Sequence, residues 1–299
     1  MPAHKLKRIG VVGAGTMGRG IAQLLALHGF SVVLLDRDSS ILNMALERVL
    51  ERTDPEMRAE VEGRIAASII PERLKACDMV IEAVYEDEEA KREIYALIGG
   101  ICRKDIFIAS NTSAISISRL AGSLPDPARF IGMHFMNPPV MMQLVEVVRG
   151  EKTSDATVRL VTALAKRLGK VPVVIGDTPG FIANRLLFAQ VGEALRLLES
   201  GAATKEDIDT VLKLGLKHPM GPFELADFIG LDVCRQIMSY ICESLGDERY
   251  QPGELLDNLV REGKLGRKTG EGFYAGIGRE GQVRTIFWSL LSSLLFDSE

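Results

Sequence analysis

One of the four histidines in this 299-residue chain stands where an imidazole can work. His134 closes an apolar stretch, Arg129 to His134, just ahead of the strand-breaking Asn137-Pro138-Pro139. An imidazole titrates near neutral pH, so it can take a proton from an alcohol as hydride leaves the carbon. His4 lies in the terminus, and His28 falls late in a helix, where it suits the helix dipole. His218 sits in a Pro/Gly turn. A histidine in an apolar strand, taken alone, is more often a satisfied core residue. The neighbours change that weighting. Glu146 lies between Val145 and Val147 in the next apolar run. A buried carboxylate needs a partner. Glu146 could hold the second imidazole N–H, fix the tautomer and stabilise the imidazolium. Ser113, in the polar cluster Asn111-Thr112-Ser113, can hydrogen-bond a substrate oxygen, or serve as turn chemistry. Asn184 can bring an amide donor, or be an ordinary helix-start residue.

A hydride needs an acceptor, and the stretch from Ile9 to Asp36 supplies a place for one. Gly13, Gly15 and Gly18 have G-x-G-x-x-G spacing between an apolar strand and an apolar helix. Gly13 permits the tight turn, Gly15 lets a pyrophosphate approach the backbone, and Gly18 lets helix and sheet pack. The phosphates then face free N–H groups at the positive end of the helix, with Thr16 and Met17 in its first turn. Asp36 ends the following strand. Its carboxylate accepts hydrogen bonds from ribose hydroxyls and repels a 2′-phosphate, which favours NAD over NADP. Asn111 and Ser113 lie at another strand end on the same ligand-binding edge and join the expected cofactor contacts.

The elements that must position these groups follow from the apolar pattern. Strands are expected at Ile9 to Val12, Ser31 to Leu35, Asp78 to Val84, Ile106 to Ser110, Arg129 to His134, Leu144 to Val148 and Val171 to Ile175. Pro172 places the last of these at a sheet edge. Helices are expected at Ser40 to Arg52, from a Thr53/Glu56 capping box to Ala67, and at Glu88 to Ile98, Ile117 to Ala121 and Thr153 to Leu168. Strands alternating with helices imply a mostly parallel sheet covered on both faces. After Gly176-Asp177-Thr178-Pro179-Gly180 the pattern turns helical, with an apolar core helix from Ile182 to Leu198. The expected fold is α/β: a Rossmann-type dinucleotide-binding domain over 1–178, then an all-helical domain over 179–276, then a tail over 277–299.

Composition excludes several classes. A net charge of −4 argues against a nucleic-acid binder, and 46% apolar with 25% charged residues is ordinary globular content. The four cysteines have no metal-binding spacing, so no metal is expected and free thiols in a reducing compartment are. The N-terminus has no apolar signal segment, and the run Ile286 to Phe296 is too short to span a bilayer. A cytoplasmic location is expected. That last run could pack on the body, lie on a membrane surface or stay disordered.

These residues carry a family resemblance. Gly13-Ala14-Gly15-Thr16-Met17-Gly18, Ser110-Asn111-Thr112-Ser113, Gly132-Met133-His134-Phe135 and Pro179-Gly180-Phe181-Ile182-Ala183-Asn184-Arg185 all carry it. So do His218-Pro219-Met220-Gly221-Pro222-Phe223-Glu224-Leu225 and Gly266-Arg267-Lys268-Thr269-Gly270-Glu271-Gly272-Phe273-Tyr274. The sequence resembles the short-chain L-3-hydroxyacyl-CoA dehydrogenases, the bacterial 3-hydroxybutyryl-CoA dehydrogenases above all. The resemblance implies His134 as base, Glu146 as its orienting partner, and Ser113 and Asn184 as groups that bind the substrate's C3 oxygen. It implies cofactor contacts from Asp36, Glu86 and Lys91. On the residues alone, Glu86 and Lys91 read as a solvated helix start. It also implies an acyl-CoA substrate, a reversible reaction and a homodimer formed through the helical domain. With no hydratase segment in the sequence, a monofunctional enzyme is expected.

Three departures from the family pattern stand out. The hairpin between Asp36 and Glu82 looks shorter by roughly two helical turns. In the family this hairpin carries lysine and serine contacts to coenzyme A, but here 38–71 holds no lysine, only Arg48, Arg52, Arg58 and Arg64. The usual aromatic pair after the histidine is Phe135-Met136, which alters the acyl pocket. The tail is additional. Two rival readings therefore stand beside the first: a dehydrogenase of the same fold acting on another 3-hydroxy acid, and a non-catalytic NAD-binding protein.

Overall fold

The computed structural model describes residues 6–276, so the expectations for His4 and the 277–299 tail fall outside the described residues. The chain forms two compact units, divided between Phe181 and Ile182.

The first unit is an eight-stranded sheet with helices. In chain order it contains β1 (Arg8–Val12), α1 (Thr16–Leu27), β2 (Ser31–Leu35), α2 (Ser39–Glu51), α3 (Arg58–Arg64), β3 (Ile65–Ser68), β4 (Met79–Glu82) and α4 (Glu88–Ile101). Then follow β5 (Phe107–Ser110), α5 (Ile117–Ala121), β6 (Phe130–Phe135), β7 (Leu144–Arg149), α6 (Asp155–Arg167) and β8 (Val171–Gly176). The strand order is β3-β2-β1-β4-β5-β6-β7-β8. Strands β1 to β6 are parallel, β7 runs antiparallel to β6, and β8 runs parallel to β7. Pro172 does lie on an edge strand, where a missing N–H is harmless.

Strand β3 was not expected. The sequence favoured helix as far as Ala67, because Ala66 and Ala67 are helix formers. Instead Arg64 ends the helix and Ile65–Ser68 adds to the free edge of β2, with Val32 opposite Ile65. Pairing with a preformed edge outweighs local propensity. The Thr53/Glu56 capping box is also absent. Asp54 accepts the N–H of Glu56 instead. Thr53 is buried, donating to the carbonyl of Val49 and accepting from Gln23 Nε2.

The main core lies between the sheet and helices α1, α2 and α6. Ile9, Val11, Leu34, Met133, Phe135, Val145 and Val147 meet Ile21, Leu25, Leu42, Leu160 and Leu164 there. Alternation along a strand then sends His134 and Glu146 to the opposite face from Met133, Phe135, Val145 and Val147.

The second unit holds α7 (Ala183–Glu199), α8 (Lys205–Gly215), α9 (Pro222–Ile229), α10 (Leu231–Leu245) and α11 (Glu254–Arg261). A bridged turn closes it, pairing Gly266 with Glu271 and Glu271 with Ala275. Helix α7 buries Phe188, Val191, Ala194 and Leu195, as a core helix should. Among the described residues no helix is long and apolar enough to cross a membrane. All four cysteines are free thiols.

Candidate active site

The antiparallel register of β6 and β7 sets His134 directly opposite Glu146. Nδ1 of His134 lies 2.8 Å from Oε2 of Glu146, and both side chains are buried. With Nδ1 held by a carboxylate, proton exchange with a substrate falls to Nε2. Side-chain Oδ1 of Asn111 accepts the N–H of Phe135 at 3.0 Å, tying the end of β5 to the strand that carries the imidazole.

Beside β5 lies a second charged cluster. Oε1 of Glu86 accepts from the Thr112 hydroxyl at 2.6 Å, the Ser113 N–H at 2.8 Å and the Ser113 hydroxyl at 3.0 Å. Its Oε2 lies 3.3 Å from Lys91 Nζ. Burial pushes the Glu86 carboxyl up, but the Lys91 charge and the Thr112 and Ser113 hydrogen bonds outweigh it and hold it below the usual range. Glu86 therefore stays ionised and sets the direction of the Ser113 hydroxyl.

Lys91 is not solvated. Only 1% of its side chain is exposed. Its ammonium donates to Glu82 Oε1 at 2.7 Å and to the Val84 carbonyl at 3.4 Å. Burial disfavours the ammonium, yet Glu82 and Glu86 together raise its pKa above the ordinary lysine value. Glu82 also accepts from the Tyr95 and Ser110 hydroxyls, each at 2.7 Å, and from the Val84 N–H at 2.8 Å. Sequence reasoning missed Glu82, Tyr95 and Ser110. The signal was present: Glu82 stands in the apolar strand Met79-Val80-Ile81-Glu82, and a buried carboxylate needs partners there as much as at Glu146.

The glycine loop separates what the fold requires from what a ligand requires. Gly13 has φ +99°, and a Cβ on it would come within 2.5 Å of the Ala83 carbonyl oxygen. A Cβ on Gly18 would lie 1.7 Å from the Gly13 carbonyl oxygen. Those two are glycines for internal reasons. A Cβ on Gly15 would meet nothing within 4 Å. Its smallness answers to something outside the chain, as a pyrophosphate cradle predicts. No side chain caps α1, whose N-cap is Gly15, and its first turn has no acidic residue. Thr16 and Met17 open that helix, so its N–H groups suit an anion. Oδ2 of Asp36 accepts the Ala14 N–H at 2.8 Å, which fixes the carboxylate at the rim of this loop. These residues fit a dinucleotide.

Asn184 stands in the first turn of α7, in the second unit. Of the hairpin arginines, Arg58 donates to the Thr53 carbonyl, Arg64 to the Ala26 carbonyl, and Arg48 pairs with Glu51. Among the described residues no group of three or more His, Cys, Asp or Glu could hold a metal ion.

Comparison with known proteins gives the family. Residues 8–178 match the family model for the 3-hydroxyacyl-CoA dehydrogenase NAD-binding domain, and residues 180–276 match that family's C-terminal domain. A probable 3-hydroxybutyryl-CoA dehydrogenase of Deinococcus radiodurans is 46% identical over 278 residues, spanning 89% of this chain and 99% of the relative. The crystal structure of (S)-3-hydroxybutyryl-CoA dehydrogenase from Ralstonia eutropha superposes with a TM-score of 0.86 at 42% identity, covering 91% of this chain and 99% of that one. An NAD-dependent 5-formyl-3-hydroxy-2-methylpyridine 4-carboxylic acid 5-dehydrogenase shares the architecture at 31% identity and a TM-score of 0.73, covering 97% and 96%. The chain belongs to the 3-hydroxyacyl-CoA dehydrogenase family and is an NAD-dependent oxidoreductase of that family.

Proposed function

We propose that the protein interconverts an L-3-hydroxyacyl-CoA of short chain, such as 3-hydroxybutyryl-CoA, and its 3-oxoacyl-CoA, with His134 and Glu146 as the proton-handling pair. The observation that carries this reading is the buried contact of 2.8 Å between His134 Nδ1 and Glu146. In the oxidising direction Nε2 of His134 takes the proton of the C3 hydroxyl. The imidazolium that forms is balanced by the Glu146 carboxylate. The Ser113 hydroxyl, which donates to Glu86 at 3.0 Å, turns that proton to the C3 oxygen when substrate binds. A second donor to that oxygen is assigned to Asn184 by the family resemblance. NAD, when bound, accepts the C3 hydride. Reduction runs the same steps backwards, with the imidazolium as acid. Of the four arginines of 38–71, Arg58 and Arg64 hold backbone carbonyls and Arg48 pairs with Glu51, which leaves Arg52 as the one for a coenzyme A phosphate.

NADH oxidation with acetoacetyl-CoA, run beside free acetoacetate, tests the reading. Turnover of the thioester that falls about 100-fold or more in His134→Asn is expected. Equal or better turnover of the free acid would transfer the site to another 3-hydroxy acid. Full activity in His134→Asn would remove the mechanism.

A homodimer in the cytoplasm belongs to the same proposal. Helices α7 and α8 present Leu186, Val211 and Leu214 to solvent, Leu214 at 72% exposure, with Leu216 just beyond. Such apolar surface is what a partner subunit covers. Light scattering on the purified protein reads the mass, and a monomer at micromolar concentration would remove this part.

A further inference from the structure

Phe181 is one of two non-glycine residues with positive φ among those described, at φ +52°. A bulky side chain in the left-handed region is rare and costly. Gly180 before it is left-handed too, at φ +73°, and the turn closes with the Phe181 N–H donating to the Thr178 carbonyl at 2.8 Å. A glycine would hold this backbone without strain. The sequence places a phenylalanine there instead, and buries it completely. Its ring lies against the His134 imidazole, with centroids 5.7 Å apart and planes tilted by 56°. The strained position is thus occupied by the ring that touches the proposed base.

We infer that Phe181 is a positioning residue for His134, whose ring holds the imidazole in the plane that meets Glu146 and keeps water off the Nδ1–H to carboxylate bond. The inference rests on the proposed function and deepens it. An imidazole with no wall on one face can turn about its Cβ–Cγ bond, and its partner carboxylate can exchange it for water. A ring beside it, with centroids 5.7 Å apart, blocks both. It also keeps the surroundings of the pair apolar, so the imidazolium and Glu146 attract more strongly when the proton arrives. Local strain at such a position is accepted where the side chain has work to do. The chain that leads to Phe181 is anchored at Asp177, four residues earlier. That carboxylate accepts from the Ser116 hydroxyl and from the N–H groups of Ile117 and Ser118, which fixes the chain leaving β8.

Two variants of the full chain test this. Phe181→Leu keeps apolar bulk and the strained backbone but loses the flat ring. Phe181→Gly loses the ring and the strain together. The first readout is the exchange rate with water of the downfield Nδ1 proton of His134, identified by its disappearance in His134→Asn. The second is kcat set against KM. Expected for Phe181→Leu is exchange at least ten-fold faster and kcat about ten-fold lower, with KM for NADH and for the thioester within two-fold of wild type. Expected for Phe181→Gly is loss of the resonance and a larger fall in kcat. Wild-type exchange and kcat in Phe181→Leu would overturn the inference, since generic packing would then suffice. A higher kcat in Phe181→Gly than in Phe181→Leu would overturn it too, by placing the requirement in the backbone. If Phe181→Gly does not fold, the leucine variant decides alone. The proton readout needs no substrate, so a wrong choice of substrate and a wrong role for Phe181 give different results.

Discussion

Glu82 in the first unit and Asp227 in the second are both sealed from water, yet they are satisfied in different ways. Glu82 receives a cation, two hydroxyls and one backbone N–H. Asp227 receives backbone donors, the N–H of Phe273 at 2.8 Å and that of Tyr274 at 2.9 Å. Asp209, also buried, takes the N–H groups of Phe223 and Glu224 and the Tyr274 hydroxyl. Burial raises the pKa of both aspartates, and their hydrogen bonds offset that only in part. In the first unit a lysine ammonium is the main partner of the buried carboxylate. In the helical unit, carboxylates act as ties between distant segments. Asp209 ties α8 to the start of α9, and Asp227 ties α9 to the closing turn. The glycines of that turn serve the same tie. A Cβ on Gly272 would lie 1.9 Å from Asp227 Oδ1, and one on Gly266 would lie 2.3 Å from the Asp227 carbonyl oxygen.

The largest test of this contrast removes the cation. Lys91→Met strands Glu82 without its counter-charge, and a loss of about 3–5 kcal/mol in unfolding free energy is expected from urea titration. Adding Glu82→Gln to that variant should recover about 1 kcal/mol or more, because the two side chains are coupled. A double variant no more stable than Lys91→Met would show that the charge was not the issue.

A smaller and more discriminating test uses pH. Asp227→Asn leaves one backbone N–H facing an amide donor, for about 1–3 kcal/mol at pH 7. The folded pKa of Asp227 lies above 3.8, so the native state takes up the proton first. The wild type therefore gains on this variant as pH falls from the raised pKa to 3.8. Glu86 has the opposite sign. Its folded pKa lies below 4.5, so its contribution is complete above 4.5 and is lost as pH falls through the folded value. The wild type should lose ground to Glu86→Gln over that lower range. Urea midpoints of the three proteins at stepped pH read both slopes, and two slopes of the same sign would end the comparison.

Much of this was legible in the sequence. Apolar runs marked seven of the eight strands, and the glycine spacing with Asp36 marked the loop whose geometry fits a dinucleotide. The burial argument applied to Glu146 led to His134, and the structure places them face to face. Strand β3 was hidden, because its four residues include two alanines and its strand character comes from the neighbouring edge. Lys91 was hidden by its surroundings. The run Glu86-Asp87-Glu88-Glu89-Ala90-Lys91 does start a helix, with Asp87 accepting the Ala90 N–H, but helical geometry points Lys91 inward. Phe181 was visible only as part of a family stretch. Its left-handed backbone and its contact with His134 are three-dimensional facts that no periodicity encodes.

Strands β6 and β7 are the one antiparallel pair of the eight-stranded sheet among the described residues. The two residues of the proposed proton-handling pair are therefore carried on a single hairpin, while the glycine loop and Asp36 are carried on a separate β1–α1–β2 unit. Each piece is short and continuous in the chain. A lineage could lose or replace the hairpin and keep a working nucleotide pocket, or retune the nucleotide preference at Asp36 without disturbing the base. In evolutionary terms, the proposed proton-transfer pair and the nucleotide loop are two separable parts of the chain.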